Sequence, residues 1–474
     1  MENKTARGST ALAVKAGFWY VVSTFLVKGL AFITTPIFAR LMSATAYGEF
    51  SNYATWQITL SIITGAELYN TLGRAYYDYT ESYDEYVSSV TILSFGINFL
   101  FYLLFLFGGD WIYRIVSIPR QYVHILFFTL TFMAVKSIYI VRERTLYRYK
   151  SVALMTTINL LIPTAISVLL VVLSPALQRL PARIYGYYIP SSLIGIVCAI
   201  SILRTGISFR WEHVKYSLKL SLPMLIHYLT AYLLVSSNVI VTKNILGAEK
   251  AAIISIASST TRILMIMSQS LTGALTTWLM DNLEQGNHAK MRRNTLVYLG
   301  LLSTITIAVI LLAPEIVWIL GGSKYIEAST LVPGFVVGVF LQSVTALFTI
   351  ILTYDKNIAK TAVSTTIVSA LNILAKIFLL SYYGYQALPY VDIVSFGLLL
   401  LLNYLFVSKA GYAKTVNIKG IAGIVLVVFV VMVINNILIG YNIARYVMLA
   451  VFASIVITFI YKQRDTLLTL FKKR

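Results

Sequence analysis

Two cations lie in the middle of long apolar stretches of this chain: Lys28 within Ala16 to Ala39, and Arg262 within Ala251 to Leu279. Either stretch can span a bilayer, which takes about 20 mainly apolar residues. A cation at that depth costs roughly 3 kcal/mol or more, so it is expected to face protein or a water-filled cavity. Helical spacing puts Thr24, Lys28, Ala31 and Thr35 on one face of the first stretch. Ser255, Ser258, Ser259, Arg262, Gln269, Thr272 and Thr276 fall near one stripe of the second. Each cation is roughly ten residues from either end of its stretch, too deep to snorkel easily. No carboxylate lies at matching depth. Two such cations in a confined polar space favour a phosphate or carboxylate, held by charge-assisted hydrogen bonds. The expected substrate contacts are Lys28, Arg262, Gln269, Thr24 and Ser259.

Other polar residues admit a bland and a sharper reading. Glu67 and Arg74 flank the inner end of the second apolar stretch and continue a stripe of Gln57, Ser61 and Thr64. They read either as a solvated helix end or, with Arg40, as a gate or entry point for an anionic head group. His227, beside Tyr228 and near Asn238, is a core histidine or a proton site. Asp392, after Pro389 and Tyr390, is an interfacial charge or a coupling-ion site. Lys136 and Lys376 lie about one turn from span ends, and snorkelling is expected for both.

The elements that must position these residues are membrane helices. The 474 residues are 58% hydrophobic and 12% charged, with mean hydropathy +0.79. Soluble domains carry about 25% charge. The net charge of +20 is explained by the positive-inside rule rather than by nucleic acid. One cysteine, Cys198, gives neither a disulfide framework nor a metal cluster. The start, MENKTARGSTALAVK, has no pattern of a cleavable signal.

Hydropathy gives about fourteen spans, read as helices because open sheets cannot satisfy their backbone in lipid. They are expected near 16–39, 49–70, 87–107, 121–140, 152–173, 185–203, 218–241, 251–279, 295–313, 330–353, 361–380, 386–407, 420–439 and 444–461. Prolines 36, 163, 190, 223 and 333 fall in or at the start of spans, where they suit bending helices. With a cytoplasmic N-terminus, inside loops hold 25 of the 38 Lys and Arg, which places both termini in the cytoplasm. Arg183 and Arg445 count among the outside-loop cations on this reading.

Two halves show the same order of features: a short turn with Tyr47-Gly48 or Lys250-Ala251, then Gly108-Gly109 or Gly321-Gly322. Paired positions keep the same orientation, so the repeat is parallel. The expected organisation is an all-α polytopic membrane protein. Residues 1–203 form one six-helix lobe, 204–217 a cytoplasmic connector and 218–408 a second six-helix lobe, and 409–474 two added helices with a basic tail.

There is no glycine-rich phosphate loop, no clustered His, Cys and Asp set, no Ser-His-Asp constellation and no nucleotide domain. These absences argue against an enzyme or an ATP-driven pump; no cofactor and no nucleic-acid partner are expected. A cation-coupled drug exporter and a non-transporting scaffold of a glycan assembly complex stay open. The first would more often carry a mid-depth carboxylate in its first lobe, and the second would not need mid-span cations.

The segment LVKGLAFITTPIFARLMSATAYGEFSNYATW, with Arg40-Leu41 and Tyr47-Gly48-Glu49-Phe50, resembles the opening of polysaccharide-unit flippases of the Wzx type. The later APEIVWILGGSKYIEAS, with Gly322 and Tyr325, is similar to an outer turn of the same family. Lipid II flippases and drug exporters of the wider MATE-like superfamily share such motifs. The resemblance implies a two-lobed helical fold, alternating access, and an undecaprenyl-pyrophosphate-linked oligosaccharide moved from inner to outer leaflet. It implies Lys28 and Arg262 as cavity cations, and a polymerase and glycosyltransferases of the same pathway as partners. Where this chain has Lys250-Ala251-Ala252, the family usually has a Gly and a Tyr.

Overall fold

The computed structural model describes Gly29 and residues 33–462. Among the described residues every regular element is helical. Residues 33–41 form helix α1. There follow α2 (Ala44–Gly65), α3 (Tyr83–Phe107), α4 (Val123–Thr145), α5 (Tyr149–Leu173), α6 (Arg179–Leu203) and α7 (Trp211–Leu246). Then come α8 (Ala248–Glu284), α9 (His288–Leu311), α10 (Val332–Tyr354), α11 (Ile358–Tyr383), α12 (Leu388–Lys409), α13 (Ile418–Leu438) and α14 (Asn442–Lys462), with three short helices, Leu72–Asp78, Asp110–Val116 and Ala313–Gly321, between the long ones. Each of α2 to α14 overlaps one expected span, and most of the first expected span lies outside the described residues. Among the described residues eleven helices, α3 to α13, are long and apolar enough to cross a bilayer. This is an all-α polytopic membrane protein.

The second span begins and ends earlier than the expected 49–70. Ser43 caps α2 by accepting the Ala46 N–H at 3.1 Å. At the other end Ala66 and Glu67 both adopt left-handed backbone (φ 46° and 53°), so the helix stops at Gly65. Glu67 therefore lies in a turn beyond the helix. The pairs Tyr47-Gly48 and Lys250-Ala251, expected in short turns, both lie within the first five residues of helices, α2 and α8. Prolines 163, 190 and 223 lie inside α5, α6 and α7.

By internal contacts the chain divides into two compact units, residues 1–255 with 373–385, and residues 256–372 with 386–474. In the first, α4, α5 and α6 pack together and α2 packs on α7. Gly195 of α6 permits the α4 contact, because a Cβ there would come within 2.6 Å of the Phe132 side chain. Phe105, Leu126, Leu130, Ile184 and Tyr188 form part of the core between α3, α4 and α6. Burying each large apolar side chain contributes packing that, unlike in water, rests on van der Waals contact rather than on a hydrophobic drive.

In the second unit α10 is the central helix, packed on α9, α12 and α13. Most of its residues, from Val332 to Leu352, are buried. The last helix, α14, is tied to this unit at one end. Arg445 donates two hydrogen bonds to Glu315, each 2.6 Å, and a third to the Leu311 carbonyl at 3.0 Å. Arg445 is thus a buried clamp rather than an outer-loop charge.

Candidate translocation site

Arg262 lies in mid-α8 with its side chain exposed, and its guanidinium has no acidic partner among the described residues. Gln269, Gly273 and Thr277 are exposed at spacings that place them on the same helical face. The opposite polar positions of α8 are taken up by packing. Ser268 Oγ donates to Ser343 Oγ of α10 at 2.7 Å, and Thr272 Oγ1 meets the Tyr298 hydroxyl of α9 at 2.9 Å. Ser259, three residues before Arg262 and near the same face, is buried. The stripe read from sequence therefore splits into a packed half and an open half. Lys28 and Thr24 lie outside the described residues.

The gate candidates do not share one environment. Arg40 is exposed, with Nη1 donating to the Pro36 carbonyl at 3.3 Å. Arg74 is exposed and pairs with Asp78 at 3.2 Å. Glu67 is 4% exposed and accepts from Asn70 Nδ2 at 2.6 Å. Burial raises its carboxyl above the usual carboxylate range, opposed by hydrogen bonds from Tyr69 and Asn70. Gln57 and Thr64 are buried too. The solvated-end reading of Glu67 is thus corrected, because the left-handed turn folds this carboxylate inward.

Of the coupling candidates, His227 is half-buried, and its Nδ1 is buried without a hydrogen-bond partner among the described residues. Asp392 is buried and accepts from Asn372 Nδ2 at 3.1 Å, with Asn372 also donating to Ser395 at 2.9 Å. An interfacial position for Asp392 is not what the structure shows: the carboxylate turns into the α11–α12 packing.

The snorkelling expectation for Lys136 and Lys376 fails. Lys136 is 8% exposed. Its Nζ donates to Asn159 Oδ1 at 2.8 Å, to the Ser191 carbonyl at 3.0 Å and to Ser191 Oγ. An ammonium has three donors, and all three are used. Lys376 is fully buried and donates to the Leu234 carbonyl at 3.3 Å and Ser237 Oγ at 3.0 Å. Arg183, expected in an outer loop, is inside α6 with its guanidinium over the rings of Phe38 and Phe50, 3.2 and 3.8 Å from their centroids. Proximity to a span end in sequence did not show that neighbouring helices would offer oxygen acceptors or rings.

Sequence reasoning also missed a clasp between the start of α2 and the α7–α8 corner. Gly48 lies against the Ala248 backbone so closely that no Cβ could fit. Ser51 Oγ donates to Ser255 Oγ at 2.9 Å, and Lys243 pairs with Glu49 at 2.7 Å. The Tyr47-Gly48-Glu49-Phe50 motif was the signal available. The departure at Lys250-Ala251-Ala252 leaves this corner closely packed, with Gly48 of α2 against Ala248. Ala251 and Ala252 are fully buried.

A polysaccharide biosynthesis protein family matches residues 13–279. No curated protein matches the chain. Among solved structures, the lipid II flippase MurJ in an inward closed conformation has a TM-score of 0.69 at 16% identity, covering 94% of this chain and 99% of that one. An inward-facing multidrug resistance MATE family transporter of the MOP superfamily has a TM-score of 0.61 at 14% identity, covering 84% of this chain and 99% of its own. The resemblance drawn from the opening segment is upheld in family and in fold. The chain belongs to the polysaccharide biosynthesis protein family and has the fold of the MurJ and MATE transporters of the MOP superfamily.

Proposed function

We propose that the protein is a flippase that moves a lipid-linked oligosaccharide from the inner to the outer leaflet by alternating access. It is a transporter rather than an enzyme. The observation that carries this reading is Arg262, an exposed guanidinium in the middle of an apolar helix, in a chain of a polysaccharide biosynthesis family. A pyrophosphate-linked undecaprenyl carrier supplies the anion that such a cation recognises. Lys28, Thr24, Ser259 and Gln269 join it as proposed substrate contacts, with Arg40, Glu67 and Arg74 at the entry.

Movement of the pyrophosphate outward is favoured by an inside-negative potential, by about 2.3 kcal/mol per charge per 100 mV if the charge is uncompensated. Arg262 and Lys28 lower the desolvation cost without forming a tight, slow-release site. The lobes are taken as 1–203 and 218–408, joined by 204–217 and followed by 409–474, with both termini cytoplasmic. The clasp of Gly48, Ser51 and Glu49 then closes the outer side and opens during the cycle. His227 and Asp392 are the residues left for ion coupling, and the buried Asp392 is what keeps a cation-coupled exporter as the second reading.

The test is export complementation, together with flipping of a fluorescent pyrophosphate-linked oligosaccharide in proteoliposomes. Lys28→Ala and Arg262→Ala are each expected to impair transport with unchanged membrane insertion. Normal export by both variants sinks the cavity assignment. Ser51→Cys with Ser255→Cys, oxidised to a disulfide, is expected to stop transport, and reduction to restore it. Full transport while cross-linked would show that the clasp does not open.

A further inference from the structure

The connector between α6 and α7 carries a surface that translocation does not use. Residues 206–210 have no regular secondary structure and are pinned to the start of α3 by two backbone hydrogen bonds. The Ser208 N–H donates to Ser88 Oγ at 3.0 Å and the Arg210 N–H to Ser89 Oγ at 3.1 Å. Ile207, Phe209 and Trp211 are left 77%, 52% and 69% exposed.

Cations rim this strip. Arg204, Arg210, Lys215 and Lys219 are all exposed. Trp211, Lys215 and Lys219 recur four residues apart on one face of α7, while His213, Val214 and Ser217 face inward. Of the nearby acids, Glu85 pairs with Arg210 at 2.5 Å and Glu212 meets the Tyr79 hydroxyl at 3.5 Å. Leu203 ends the apolar run of α6, and Val87 begins that of α3 beside Ser88 and Ser89. Both neighbours put the strip at the edge of the hydrocarbon, where aromatic and cationic side chains are most favourable.

We propose that residues 204–219 are a phospholipid anchor. Ile207, Phe209 and Trp211 enter the boundary between acyl chains and head groups, and Arg204, Lys215 and Lys219 bind anionic phospholipid. Apolar insertion plus electrostatic attraction is the combination that holds interfacial segments on membranes. The charge sign selects anionic lipid over a zwitterionic surface. Placement in the inner leaflet rests on the orientation proposed above; insertion into lipid does not.

The test uses the full chain with Cys198→Ser, spin-labelled at Phe209→Cys or, separately, Ile207→Cys, in vesicles of phosphatidylethanolamine and phosphatidylglycerol. Both labels are expected to collide more with oxygen than with a water-soluble nickel chelate, and a control label at Glu81→Cys the reverse. Labels at 207 and 209 as open to nickel as the control would overturn the anchor. So would shielding that appears only in native membranes, which would point to a protein occupant. In native mass spectrometry, Lys215→Gln and Lys219→Gln are each expected to lower retained phosphatidylglycerol about fivefold, with phosphatidylcholine unchanged. Equal retention would overturn the head-group half. An impermeant maleimide at Glu81→Cys reports the side. Reaction from outside intact cells would refute the inner placement and the orientation behind the flippase reading, while the depth result would stand.

Discussion

Lys136 and Arg262 are both cations well inside apolar helices, yet they meet opposite surroundings. Lys136 is enclosed by α4, α5 and α6, with three oxygen acceptors for its three N–H groups. Arg262 projects from α8 with its side chain exposed. Lys376 follows the first pattern, held by the Leu234 carbonyl and Ser237. A buried cation with every donor used is a structural tie and has nothing left to offer a ligand. An exposed cation at span depth keeps its donors for one. Depth along the helix is similar in kind for the two; the acceptors across the helix interface make the difference.

The comparison breaks most directly at Lys136. Lys136→Met keeps the stem but leaves Asn159 and Ser191 without their donor. A loss of about 1–3 kcal/mol for each buried group left unsatisfied is expected as a lowered thermal midpoint in detergent. An unchanged midpoint would show that the tie contributes nothing. Arg262→Ala should show the reverse profile, a transport loss of about tenfold or more, the worth of charge-assisted hydrogen bonds, with an unchanged midpoint. If its midpoint fell as far as that of Lys136→Met, Arg262 would also be structural.

Conservative exchanges sharpen the contrast. Arg262→Lys keeps the charge in open space and is expected to retain most transport. Lys136→Arg forces a larger head into a closed site and is expected to cost about 1–3 kcal/mol by overpacking, again read as a thermal midpoint. The smallest effect concerns Glu315. Hydrogen bonding from Arg445 holds its carboxyl below the usual range. A depressed folded-state pKa gives stability that is present above the ordinary carboxylate value and lost as pH falls through the depressed one. Thermal stability should therefore decline below about pH 4 more in the native chain than in Glu315→Gln.

Most of the helices were legible because lipid leaves the backbone one solution and apolar length marks it. The exception at α2 came from Ala66 and Glu67, whose left-handed conformations stop a helix that hydropathy would continue. The site was legible in part. Arg262 and Gln269 were visible from composition and spacing, and they share an exposed face. Ser259 satisfied the same spacing but is buried. The tie at Lys136 needed Asn159 and Ser191 from two other helices, which no local pattern brings together. The connector was expected only as a cytoplasmic link, because the hydroxyls that pin Ser208 and Arg210 lie on α3.

By itself the sequence determined the class of molecule, the order of its long helices, and two cations too deep to be ordinary surface charges. Those are properties of one segment against lipid, set by transfer cost and helical period. The tertiary structure decided which cations are closed and which remain open. It alone folded Glu67 inward, set Gly48 against Ala248 and left Ile207, Phe209 and Trp211 exposed. Each of these depends on atoms far apart in the chain, and a side chain's environment is fixed only when its neighbours are packed.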